Sequence, residues 1–290
     1  MKAMAHKEQI KFFFVIPGIL WVLIFTIFPL LYSLRLSFFQ ARLGQDQTFI
    51  GMGNFQGAFS DYRFWNSLSI TVFFVVVSVS LTVLLGLGLA LLFNRPRRGL
   101  RFFRSSFVLP IFTAPIALGY LGLTIFHEDV GAVNVALRML GVVNPPGWFH
   151  QVWAARLAIT LVDVWQWTSF CFLVLLAGLQ NLPEELYEAA QLDTSSGWGI
   201  FRHITLPLLA PVLFTVTILR LVETLKVLDI PFSMTSGGPG AATQTYSFYV
   251  YLVGLRNFNA GYASALAYIL LLIMLFISSF FFNRLRAIYD

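Results

Sequence analysis

Ionisable side chains are scarce in this chain, and those inside its apolar stretches carry whatever chemistry it has. Arg220, Glu223, Lys226 and Asp229 follow one another at three-residue intervals with alternating sign. On a helix that spacing brings neighbours together. A second apolar stretch holds Asp163, Trp165, Gln166 and Trp167. A charge at the centre of a membrane helix costs roughly 2.5–3.5 kcal/mol on insertion scales, so four unpaired ones cost on the order of 10 kcal/mol. Such groups must be paired or lie beside water. None of them forms a catalytic constellation, and none is read as catalytic. The four histidines, His6, His127, His150 and His203, are scattered outside the apolar stretches, no His-Glu-x-x-His occurs, and no metal site is expected. None of Lys2, Lys7, Lys11 and Lys226 follows a glycine, so there is no Gly-Lys phosphate loop and no means for this chain to hydrolyse ATP itself. The single cysteine, Cys171, excludes an intramolecular disulfide and a Cys-based metal cluster.

The elements that position these residues are membrane spans. Of 290 residues, 58% are hydrophobic and 11% charged, against about 25% charged in soluble domains. The apolar runs reach about 20 residues, enough for a hydrocarbon core of roughly 30 Å. Six are read: Phe12 to Leu34, Ser67 to Phe93, Ser105 to Phe126 with Pro110 and Pro115 inside it, Arg156 to Gly178, a fifth from about Leu208, and Tyr262 to Phe282. No small-residue cleavage site follows the first run, so it is expected to be a retained helix. The fold class is all-α, a polytopic membrane protein forming one domain over residues 1–290. The net charge of +6 sits beside apolar runs, as topology signals do, and does not point to nucleic acid. Arg95, Arg97, Arg98, Arg101 and Arg104 mark a cytoplasmic loop. Both termini are then cytoplasmic, and the inner segments hold three, five, one and two Lys/Arg, eleven in all, against six at most outside.

Between the fourth and fifth spans lies a polar segment, residues 181–207, with four of the chain's thirteen acids. It reads as helix, turn, helix. Pro183 suits a first helical turn. Glu184 and Glu185 favour the positive end of the helix dipole. Ser195 or Ser196 can cap a second helix from Gly197. Leu206 precedes Pro207, so that helix is expected to stop there. Ala189 and Ala190 leave a bare surface for close approach. Glu188, Ala189 and Ala190, then Gly197 seven residues on, then Ile204, Leu206 and Pro207, resemble the EAA loop of permease subunits of binding-protein-dependent ABC importers. Where carbohydrate-type members usually have Asp-Gly-Ala, this chain has Asp193-Thr194-Ser195. Similar stretches include Phe49–Phe55, Gly131–Leu137, Gly237-Gly238-Pro239 and Gly261–Ala265, so the resemblance runs from about Phe12 to Arg286.

The resemblance implies an ABC importer permease fold in the cytoplasmic (inner) membrane of a bacterium or archaeon. It implies that the loop docks into a groove on a separate ATPase pair, which carries ATP and Mg, with Glu188 as docking acid and Ala189, Ala190 and Gly197 giving close approach. It further implies a second, usually non-identical permease, a soluble solute-binding protein outside, and a sugar, polyol or glycerol-phosphate-like solute bound near mid-membrane between the permeases. The rivals are an ion-coupled secondary transporter, with Asp163 and Glu223 as ion sites, and an intramembrane enzyme.

Three readings stay open for the charges of the fifth span: a self-neutralising ladder beside a water-filled path, contact with the transported solute, or pairing between subunits. At about 100° per residue, Arg220 and Asp229 point to opposite sides of a helix, so all four cannot face one pore. From Leu208 at about 1.5 Å per residue, Arg220 lies roughly 18 Å up, and Asp163 roughly 10 Å below the outer end of the fourth span. Those depths are close, so Asp163 is expected to pair with Arg220 or, higher up, with Lys226. Trp165 and Trp167 face different sides of a helix; one aromatic face can stack on a sugar ring. Trp21, Trp148 and Trp153 suit interfacial anchoring.

Overall fold

The computed structural model describes residues 15–94, 100–193 and 196–289. Lys2, Lys7, Lys11, Arg95, Arg97, Arg98, Thr194 and Ser195 lie outside them. Five helices are long and apolar enough to cross a membrane: α1 (Val15–Ser37), α3 (Tyr62–Phe93), α7 (Val152–Gln180), α9 (Gly197–Leu225) and α12 (Ala260–Tyr289). The expected third span is the bent pair α4 (Leu100–Val108, continued by a 3₁₀ turn Leu109–Phe112) and α5 (Pro115–Ile125), whose arms meet at 103°. Counted as one span it makes six.

Two compact units divide the described chain. One takes in the chain up to Tyr62 together with Val250–Leu272. There α1 leads into a two-stranded antiparallel hairpin, β1 (Phe39–Gln40) and β2 (Thr48–Phe49), in the register Phe39↔Phe49, and then α2 (Gly53–Ser60). Asn54 Nδ2 donates to the carbonyls of Ser37 and Phe39, 2.9 Å each, and so fixes the turn out of α1. The Tyr262 hydroxyl donates to Asp61 Oδ2 at 2.9 Å. In α1 the apolar window is entirely unburied, as expected of a helix made to face hydrocarbon or another chain.

The other unit is Arg63–Tyr249 with the chain from Ile273 on. Its core is two apolar clusters. One joins Ile70 and Phe74 of α3, Leu118 of α5, Ile159 and Val162 of α7, and Ile230 and Met234 of α10 (Asp229–Thr235). The other joins Ala90 and Phe93 of α3, Phe172 and Leu175 of α7, and Leu209 and Val216 of α9. Small residues let these helices touch. A Cβ on Gly86 would sit 2.5 Å from Cys171 Cβ and 3.0 Å from the Phe172 backbone nitrogen, so α3 and α7 meet backbone to backbone there.

Three expectations are corrected. The helix from Gly197 does not stop at Leu206; it runs on to Leu225. A π turn at Phe201–Thr205 immediately precedes Leu206-Pro207. The ring of a helical proline strikes the carbonyl four residues back, here His203, and the widened turn absorbs that clash and the missing N–H. Second, the fifth span ends at Leu225, so Asp229 belongs instead to the first turn of α10. Third, Trp148 is no interfacial anchor: it is buried, packs against Phe126, and donates its Nε1 hydrogen to Asn134 Oδ1 at 2.7 Å. Asn134 lies on α6 (Ala132–Met139), within the loop joining α5 to α7. In the same loop Glu128 Oε1 lies 2.7 Å from His150 Nδ1, and that hydrogen bond holds the Glu128 carboxyl below its ordinary value. Trp21 and Trp153 are exposed, as anchoring requires.

The α3–α7 contact predicts the first measurement. Gly86→Val should destabilise the purified protein in detergent by about 1–3 kcal/mol, the usual cost of overpacking. Gly88→Val, where an added Cβ meets open space, should leave thermal unfolding near that of the parent.

Candidate functional site

The charges expected to matter come together in a buried layer between the two apolar clusters. Ser78 lies near the middle of α3, Asp163 near the middle of α7, and Arg220 on α9. The Asp163 carboxylate accepts from the Arg220 guanidinium and from the Ser78 hydroxyl. Arg220 Nη2 also donates to Ser78 Oγ at 2.9 Å. The guanidinium lies 4.8 Å from the Trp167 ring centroid, a cation–π distance. Arg220 is fully buried and Asp163 nearly so, at 0% and 4% exposure. The expected pairing of Asp163 with Arg220 is therefore present, and Lys226 is not part of it. Lys226 Nζ donates to Glu223 Oε1 at 2.8 Å, and both side chains are about half exposed. The alternating ladder survives only as that pair, because Arg220 turns to α7 and Asp229 leaves the helix. Trp165 is half exposed, on another side of α7 from the buried Asp163.

Ser78 was not singled out in the sequence, since its span carries no charge. A signal was there: Ser67, Thr71, Ser78 and Thr82, all buried, recur at intervals of four, seven and four, one face of a helix. The other polar contact in this layer is Gln166, whose Nε2 donates to the Thr113 carbonyl at 3.0 Å, at the break between the arms of the third span.

The second group of candidate residues lies at the other end of α7. Asn181 caps that helix, and α8 (Glu184–Asp193) follows with Glu184 and Glu185 in its first turn. Ser196 caps α9, its hydroxyl accepting from the Gly199 N–H at 3.2 Å. The Tyr187 hydroxyl donates to Thr205 Oγ1 at 3.0 Å, tying α8 to the π turn of α9. Glu188 and Ala189 are exposed. Ala190 is not the bare surface expected of it; this chain already buries it to 7% exposure. Asp193 ends α8. Among the described residues nothing lies within 4 Å of a Cβ built on Gly197, and its φ is not positive, so no contact among them requires a glycine there. Leu206 and Pro207 stand where the π turn gives way to regular helix. Between α8 and the neighbouring helix ends opens a cleft of about 960 Å³, lined among others by Leu91, Asn94, Leu179, Glu188 and Trp198.

The buried tie makes a prediction with opposite signs. Asp163→Ala leaves an uncompensated guanidinium and should cost about 3–5 kcal/mol, seen as a lowered thermal unfolding midpoint in detergent. Asp163→Leu combined with Arg220→Met removes both charges and should recover most of that loss. A double variant no more stable than Asp163→Ala would show that the charges themselves are needed.

Comparison with known proteins places this geometry. Residues 82–287 match the family described as binding-protein-dependent transport system inner membrane component. The chain is 34% identical over 278 residues to the lactose transport system permease protein LacF of Rhizobium radiobacter, covering 94% of this chain and 93% of that one. It is 35% identical over 270 residues to the trehalose/maltose transport system permease protein MalF of Thermococcus litoralis, with 92% and 91% covered. To the sn-glycerol-3-phosphate transport system permease protein UgpA of Agrobacterium fabrum it is 33% identical over 283 residues, with 96% and 94% covered. The fold is shared with a chain of a bacterial ABC transporter that imports alginate, at a TM-score of 0.87 and 23% identity, covering 98% of each chain. An ion-coupled secondary transporter is thereby set aside, as is an intramembrane enzyme. Segment 181–207 lies within the matched residues, and the chain belongs to the family of binding-protein-dependent transport system inner membrane components.

Proposed function

We propose that this permease carries a sugar, polyol or glycerol-phosphate-like solute into the cytoplasm, driven by ATP hydrolysed on a separate pair of ABC ATPase subunits. ATP and Mg belong to that pair; this chain supplies no cofactor site. A second, non-identical permease completes the path, and a soluble solute-binding protein delivers from outside. The assembly sits in the cytoplasmic (inner) membrane of a bacterium or archaeon, with both termini and residues 181–207 on the cytoplasmic side. The solute class rests on relatives named for lactose, trehalose/maltose and glycerol-3-phosphate.

The observation that carries the reading is the build of the coupling segment. Glu188 lines the cleft and is exposed, as is Ala189, and Gly197 opens α9 with no neighbour among the described residues to explain it. That suits an ATPase surface entering closely, with Glu188 as the docking acid. The segment joins α7 directly to α9, so a pull on α8 acts on two spans at once. Closure of the ATPase pair would then rock those spans between inward- and outward-facing arrangements. In the solute path we place the exposed members of the candidate set, Trp165, Glu223 and Lys226; Asp163, Arg220 and Trp167 support the path from within.

The test is ATP hydrolysis by the complex purified with its ATPase and solute-binding protein. Glu188→Ala should lower solute-stimulated hydrolysis about tenfold or more, since a buried interfacial charge contact commonly carries 2 kcal/mol or above. Gly197→Leu should block assembly while leaving the lone permease folded. No ATPase in the purified complex, together with uptake that follows an ion gradient, would falsify the proposal.

A further inference from the structure

Arg156 is a positive charge that this chain holds firmly and does not neutralise. It is the fifth residue of α7 (Val152–Gln180), at the end away from segment 181–207. Its Nε donates at 2.8 Å to the carbonyl of Ala242, in the segment that follows α10. Its guanidinium carbon lies 5.1 Å from the Trp153 ring centroid and 5.6 Å from that of Phe73 on α3, both cation–π distances. The two rings brace each other edge to face at 5.7 Å. The guanidinium is thus fixed at one nitrogen and flanked by two rings. No carboxylate among the described residues pairs with it, and neither Nη has a partner among them. Neither Nη is sealed off, and the side chain is partly exposed.

The surroundings point to the missing anion. With 29 residues, α7 is about 43 Å long, the thickness of a bilayer with its headgroups. Arg156 lies about 6 Å inside its end, at headgroup level. Trp153, 67% exposed, suits the same level. Val72 and Val76, neighbours of Phe73 on α3, are 51% and 60% exposed, so the apolar surface of a membrane-crossing helix continues inward from the site. A guanidinium is a planar fork that matches a phosphate with parallel hydrogen bonds, and basic pockets between membrane helices take lipid headgroups. We propose that Arg156, between Trp153 and Phe73, binds the phosphate of a membrane phospholipid whose acyl chains lie along Val72 and Val76. Because the same guanidinium holds the Ala242 carbonyl, the lipid joins α3, α7 and the segment after α10 at one point. On the orientation proposed above, and resting on it, the lipid belongs to the outer leaflet.

The experiment titrates the full chain, purified in detergent and stripped of lipid, with dioctanoylphosphatidylglycerol. It needs no ATPase and no transport, so its outcome is separate from that of the permease reading. At about 100 times its dissociation constant the lipid should raise the thermal unfolding midpoint by about 5 °C. Dioctanoylglycerol, without the phosphate, and glycerol-1-phosphate, without the chains, should have little effect. Arg156→Gln should weaken binding about tenfold or more, as expected for a lost charge-assisted pair. Trp153→Ala should weaken it about threefold. Asn66→Ala removes the neighbouring tie from Asn66 Nδ2 to the Ala241 carbonyl, 3.3 Å, and should bind like the parent. Equal binding by the parent, Arg156→Gln and Trp153→Ala overturns the proposal. An equal response to dioctanoylglycerol shows that no phosphate is read, and an equal response to glycerol-1-phosphate shows a site for a free anion; either overturns it. Unchanged lipid binding by Arg156→Gln, with a weaker hold of the complete importer on its solute-binding protein, overturns it in favour of a carboxylate on that protein. Should Arg156→Gln fail to fold, Trp153→Ala, at an exposed position, decides.

Discussion

A salt bridge sealed among three helices sets the terms for the larger unit. Asp163 and Arg220 are all but cut off from solvent, and the Coulomb attraction of such a pair is large only because the medium around it screens poorly. The same medium makes either charge alone costly. The pair therefore acts less as a source of net stability than as a register mark. With Ser78 it leaves α3, α7 and α9 one arrangement in which every charge is answered. The apolar clusters on either side are more permissive, since hydrophobic contacts carry little directional information. Trp167 covers the guanidinium, and the nearby Gln166–Thr113 contact brings the broken span to the same polar level.

Two of the three π turns among the described residues answer a common problem by a common route. One, at Leu23–Ile27, precedes Phe28-Pro29; the other, at Phe201–Thr205, precedes Leu206-Pro207. In each case the residue four before the proline, Phe25 or His203, falls inside the widened turn. That is where the pyrrolidine ring of an ordinary helix would strike a carbonyl. The helix stays continuous, and Thr205, inside the turn, takes the hydrogen bond from Tyr187.

Much of this was legible in the residues. Apolar run length placed the spans, Pro110 and Pro115 placed the break, and similar depth offered Asp163 either Arg220 or Lys226, of which Arg220 is the partner. The Glu188-Ala189-Ala190 to Pro207 pattern fell on the segment that carries α8 and the start of α9. What escaped depended on contacts between distant parts of the chain. The bias of Leu206 against helix is a local preference of the residue before proline, and a π turn overrode it. Asp229 looked like a continuation of the fifth span because alternating charge has no built-in stop; the packing of α10 onto α5 ends it. Trp148 has the amphipathic character of an anchor, yet Asn134 supplied a partner for its N–H and the core took the ring. Ala190 was read as free surface because a sequence does not say which face of a short helix its own neighbours will cover.

The continuity of α9 has a mechanical side. Gly197, at one end, lies about 35 Å along the axis from Arg220, and Leu225, at the far end, only about 7 Å beyond it. If the helix turns as a rigid rod about the point where Arg220 is held, the Gly197 end travels roughly five times as far as the opposite end. The arrangement is a lever with the long arm on the side of segment 181–207. It exchanges a wide swing at the Gly197 end for a small, forceful displacement near Glu223 and Lys226, and over such short distances a shift of an ångström or so is enough to make or break a hydrogen bond.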